Sequence, residues 1–114
     1  MSNLAIQIFP EDLRSLAFGS IGAGYVQIGT DFEFPSRILV IQNLTDKQML
    51  FSFNGVDDHL TLPSGGQIVL DVTANKTVTG GAAYFSAGIG IFVKQVAAPG
   101  SGSVYVSTFF GLNG

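Results

Sequence analysis

A chain of 114 residues with 46% hydrophobic but only 11% charged residues fits one domain with a real core, yet it leaves few side chains to keep an isolated surface wet. The net charge of −3, with cations scattered as Arg14, Arg37, Lys47, Lys76 and Lys94, supplies no basic stripe for phosphate and excludes nucleic acid as the expected partner. Cysteine is absent, no apolar run approaches the ~20 residues that span a bilayer, and the opening MSNLAIQIFPEDL has neither a basic leader nor an apolar core, so a soluble, cytoplasmically made protein is expected.

Period-two alternation dominates, and no segment keeps apolar residues at helical spacing beyond about two turns. LAIQIF sets Leu4, Ile6 and Ile8 on one face; Pro10 ends the run, and PEDLRSL has the form of a single helical turn opening at Pro10 or Glu11. Gly19, Gly22 and Gly24 make FGSIGAGY a bend before YVQIG. RILVIQNL is apolar without interruption from Ile38 to Ile41, the pattern of a strand covered on both faces. TDK then turns the chain, and QMLFSF is expected to return as the hairpin partner with Met49, Phe51 and Phe53 inward.

The wider turn NGVDD leads into HLTL, where Leu60 and Leu62 alternate with polar neighbours, and PSGG closes it before QIVLDV places Ile68, Leu70 and Val72 on one side. AAYFS, IGIFVKQV and SVYVSTFF complete the pattern, with AAPGSG between the last two. Eight or nine strands at spacings of about 8 to 14 residues predict an all-β chain, a single antiparallel β-sandwich of jelly-roll type with at most one short helical turn. Residues 1–114 form one domain, without repeat or linker, and residues 1–9 read as an N-terminal arm or added strand.

The chemistry-bearing residues cluster at FNGVDDHL, where Asp57 and Asp58 stand beside His59, the single histidine of the chain. Asn54-Gly55 is a strong turn signal, and aspartates in such turns commonly bond nearby backbone amides. Catalysis would need a nucleophile or second acid beside the histidine, and no motif supplies one, so neither an enzyme nor a cofactor is expected. Calcium is the one metal with candidate ligands, Asp57 and Asp58 together with Asp31 or Glu33 from GTDFEF, but no EF-hand spacing defines a site. GSIGAG and GIGIF lack the order of a phosphate-binding glycine loop. Tyr25, Tyr84 and Tyr105 lie in strand-like runs, where packing is the commoner fate of an aromatic than a sugar platform.

Three stretches are the most distinctive: IQNLTDKQMLFSFNGVDDHLTLPSGG, the segment LDVTANK from Leu70 to Lys76, and the closing VKQV with GSVYVSTFFG. Together with the intervening sequence from Arg14 to Gly111 they resemble a family of small virion-associated proteins of tailed bacteriophages. That resemblance implies a viral structural protein with no catalytic residues. Within it, the expected role is a capsid decoration or cement protein, a homotrimer binding the major capsid protein and stabilising the assembled shell by mass action.

The expected contacts are Leu4, Ile6, Ile8 and Phe9 in the N-terminal segment and Phe109 and Phe110 near the C-terminus. The alternative is a head-to-tail connector or tail accessory protein, including a receptor-contacting module, present in about a dozen copies on a six- or twelvefold axis against hundreds on a shell. A soluble glycan-binding module is a third class.

Overall fold

The computed structural model describes residues 6–72 and 85–113, with side chains described within 8–72 and 85–111. Among the described residues there are nine strands: β1 (Ile6–Pro10), β2 (Arg14–Ala17), β3 (Val26–Gln27), β4 (Ser36–Asn43), β5 (Met49–Ser52), β6 (Leu60–Leu62), β7 (Gln67–Asp71), β8 (Phe92–Gln95) and β9 (Ser103–Asn113). They form a five-stranded sheet of order β1-β9-β4-β7, with β2 also on β9, and a four-stranded sheet of order β3-β8-β5-β6. All pairings are antiparallel.

β1 and β2 lie end to end along one edge of β9, Pro10 opposite Phe109 and Arg14 opposite Val106. Taken as one interrupted strand, they leave eight strands that switch between the two sheets in the order of a jelly roll. The expected β-sandwich is the observed fold. Its core comes from the period-two alternation: Leu39 and Ile41 of β4, Met49 and Phe51 of β5, Val93 of β8 and Val104 and Val106 of β9 are fully buried between the sheets. Each such side chain stabilises the fold by about 1.5–3 kcal/mol through area removed from water.

Two local expectations are corrected. PEDLRSL is not a helical turn: Arg14–Ala17 is a strand on β9, the Glu11 amide donates to the Thr108 carbonyl at 3.0 Å, and the short 3-10 turn falls at Phe18–Ser20. Pairing with the long edge of β9 satisfies more backbone than one isolated turn would. Nor do β4 and β5 form a hairpin, since β4 pairs with β7 and β9 while β5 pairs with β6 and β8.

Asn43 explains the crossing. Fully buried, it donates through Nδ2 to the Lys47, Leu62 and Pro63 carbonyls at 2.8, 3.0 and 3.1 Å and accepts the Thr45 amide and hydroxyl on Oδ1. A corner so bonded carries the chain from one sheet to the other. Gly102, at φ +91°, lets β9 begin against this corner, because a Cβ there would collide with the Leu44 carbonyl oxygen.

The continuous apolar run of β4 is not buried on both faces. Leu39 and Ile41 are buried, whereas Ile38 and Val40 point to the outer face and stay partly exposed. β4 also stops opposite Phe110, so Gly111–Asn113 pair with Ile6–Ile8 alone and form a two-stranded ribbon running past the end of β4.

Candidate functional site

The loop between β5 and β6 consumes most of its polar atoms internally. Asn54 Oδ1 accepts the Val56 and Asp57 amides, each at 2.9 Å, and Ser52 Oγ accepts the Asn54 and Gly55 amides. Asp57 Oδ2 accepts the Asn54 side-chain amide at 2.9 Å, and His59 Nδ1 accepts the Phe53 amide at 3.0 Å. The histidine thus serves as an acceptor at Nδ1, fixed in a turn.

Asp58 departs from the expected local bonding. Its Oδ1 accepts the Tyr25 hydroxyl at 2.5 Å and lies 3.1 Å from Lys94 Nζ on β8, whose ammonium sits 4.7 Å from the centre of the Tyr25 ring. The Tyr25 hydrogen bond, then the one from Lys94, hold the Asp58 carboxyl below its ordinary range. Desolvation and the Asp58 carboxylate push the Tyr25 phenol above its own. The trio pins the loop to β8 and to the residue before β3.

The calcium candidates do not converge. Asp31 accepts Gln27 Nε2 at 2.5 Å, Glu33 lies on the wall of a groove described next, and Asp57 and Asp58 are engaged as above. Among the described residues no group of three or more His, Asp or Glu side chains is placed to hold a metal ion.

An open groove of about 920 Å³ runs between residues 10–15 and 29–34. Arg14 builds it. Its guanidinium, buried at the head of β2, donates Nε to the Thr30 carbonyl at 2.8 Å, Nη1 to Thr108 Oγ1 at 3.0 Å, and Nη2 to the Asp31 carbonyl at 3.0 Å and to Glu11 Oε1 at 2.7 Å. Glu11 in turn accepts the Glu33 and Phe34 amides, both at 3.2 Å. Burial works to raise the Glu11 carboxyl, but Arg14 and the two amides outweigh it and hold the group below its ordinary range. Gly29, at φ +70°, is required on this wall because a Cβ would approach Arg14 Cγ to 2.8 Å.

The outer face of the five-stranded sheet carries the second feature. By register, Ile8, Phe109, Ile38 and Asp71 lie in adjoining rows with Ser107, Val40 and Val69. Ile8 is 42% and Val69 53% exposed, while Ile38, Val40 and Phe109 are half-buried. The register sets one charged residue, Asp71, in these rows, and Arg37 lies buried at the adjoining β-bulge between Ser36 and Ile38.

Of the expected contact residues, Ile8 and Phe109 stand on that face. Phe9 and Phe110 do not: they point inward, Phe110 stacked between Phe9 at 5.8 Å and Phe34 at 4.1 Å, and Phe110 is buried within its own chain. Alternation along β9 sends neighbouring phenylalanines to opposite faces. Leu4 and the side chain of Ile6 lie outside the described residues, as does Tyr84. The expected arm is, over Ile6–Pro10, a strand of the chain's own sheet, because β9 extends past β2 and offers it a free edge.

The Arg14 groove escaped the sequence. Glu11 and Arg14 at a spacing of three resemble a helical ion pair, and the one available signal was an arginine inside an otherwise alternating strand. No protein-family model, no curated protein and no solved structure matches this chain.

Proposed function

We propose that this protein is a non-enzymatic structural component of a tailed-bacteriophage virion, a capsid decoration or cement protein that assembles as a homo-oligomer on the major capsid protein. The observation that carries the proposal is the outer face of the five-stranded sheet, where, among the described residues, Ile38 and Val40 of the apolar run of β4 stay partly exposed beside Phe109 and Val69. An apolar, almost uncharged sheet face is the mark of a permanent interface. The ribbon of Ile6–Ile8 and Gly111–Asn113 extends the same edge toward a neighbour. The virion itself enters through the resemblance of residues 14–111, and the jelly roll is a common architecture of capsid proteins, an analogy of fold and not of site.

Binding to the assembled shell and not to separated coat subunits stabilises the shell by mass action, multiplied over many copies. Analytical ultracentrifugation of the purified chain tests the oligomer, expected as a stable trimer; a sharp monomer at micromolar concentration defeats it. Quantifying copies per particle tests the position, hundreds for decoration against about a dozen for a tail component.

A further inference from the structure

The net charge of this chain is concentrated at one place. The Arg14 groove is lined by Glu11, Asp12, Asp31 and Glu33 with Arg14 itself, four acids and one cation that account for the full −3, while the other four acids and four cations of the sequence cancel. Glu11 is committed to Arg14 and two backbone amides, which leaves Asp12, Asp31 and Glu33 as exposed carboxylates on the groove. The same groove is lined by two exposed apolar side chains, Leu13 at 60% and Phe34 at 38%. Water-facing carboxylates around an exposed leucine and phenylalanine, on walls already fixed by a buried guanidinium, make a preorganised surface with both an electrostatic and an apolar component.

We propose that this groove docks an extended basic segment of a partner protein, with lysine or arginine side chains meeting Asp12, Asp31 and Glu33 and an aliphatic side chain between them resting on Leu13 and Phe34. A bare cation is a poorer occupant, since the carboxylates do not converge on a point. A second copy of the chain is poorer too: among its described residues Arg14 and Arg37 are buried and Lys94 is bound to Asp58, which leaves Lys47 as the one exposed cation against three carboxylates, so a run of complementary charge belongs to another protein. The site uses different side chains from the sheet face above and does not depend on the virion proposal.

The test is fluorescence anisotropy of the full chain with a short labelled peptide alternating lysine and leucine. Saturable binding is expected, weakened about tenfold by the triple substitution Asp12→Asn, Asp31→Asn and Glu33→Gln, which removes three exposed charge pairs. Raising salt from about 50 to about 200 mM, which shortens the screening length, is expected to weaken it several-fold. Leu13→Ser is expected to weaken binding, and Val69→Lys on the sheet face to leave it unchanged. Equal binding by the wild type and the folded triple variant overturns the proposal, as does equal binding of a peptide with glutamate in place of lysine, or a loss caused by Val69→Lys instead. Where the triple variant fails to fold, Leu13→Ser and the salt series decide: binding indifferent to both overturns the proposal.

Discussion

The outer faces of the two sheets are built from the same alternating strands and finished differently. On the four-stranded sheet, Leu50 lies across from Lys94 and Thr61; Thr61 accepts Gln48 Nε2 at 2.8 Å, and Lys94 is held by Asp58 over the Tyr25 ring. Its edge strands β3 and β6 run only two and three residues, the usual protection of an exposed edge. On the five-stranded sheet, Ile8, Ile38, Val40, Val69 and Phe109 share a face, and the register adds one charged residue to their rows, Asp71. The first face is completed by its own side chains for contact with water. The second leaves apolar side chains open, Ile8 and Val69 the most exposed of them, and it is there that the proposed interface lies.

The contrast is broken most strongly by charge placed on the apolar face. Val40→Lys with Val69→Lys is expected to convert the proposed oligomer to monomer in sedimentation while the far-ultraviolet circular dichroism stays that of a β-sandwich; Leu50→Lys with Thr61→Lys on the other face should leave that oligomer intact. An oligomer that survives the first pair assembles through other residues.

Next in size is the Glu11–Arg14 clamp that holds the groove. Glu11→Ala leaves the buried Arg14 guanidinium without its carboxylate and is expected to cost about 3 kcal/mol in urea unfolding.

The same pair sets an acid limit. Because the Glu11 carboxyl is depressed in the folded chain, its contribution is complete above the ordinary glutamate value of about 4.3 and is lost as pH falls from there through the lower folded value. Unfolding midpoints measured down that range should decline for the wild type and decline less steeply for Glu11→Gln. The smallest effect sharpens the polar face: Lys94→Gln removes an exposed ion pair, and the urea midpoint is expected to stay nearly unchanged while sensitivity to salt decreases.

Much of the architecture was legible because alternation is a local signal. Met49 and Phe51 occupy the core side that a period of two assigns them, whereas the unbroken apolar run of β4 did not announce that Leu39 and Ile41 alone would be its buried pair. What was illegible depends on partners far along the chain. The turn after RILVIQNL reads as a hairpin until Asn43 is seen bonding Leu62 and Pro63. PEDLR mimics a helix start until Arg14 is seen reaching Thr30, Asp31 and Thr108. The acidic pair beside the histidine divides for the same reason: Asp57 answers its neighbour Asn54, as a turn residue does, whereas Asp58 answers Tyr25 and Lys94, which no spacing announces.

β9 also imposes an order of events on the newborn chain. It is the common partner of β1, β2 and β4, and the Arg14–Thr108 bond joins residues 94 positions apart. At synthesis rates of roughly 5–20 residues per second, β1 and β2 wait about 5–20 s after emergence before their partner strand exists. Through that interval LAIQIF and RSLA present unsatisfied backbone to the surroundings, and long-range strand pairing of this kind is intrinsically slow to nucleate. The last strand made is the one that closes the sheet, so premature chain termination before Ser103 would release a molecule with its opening strands unpaired and open to aggregation.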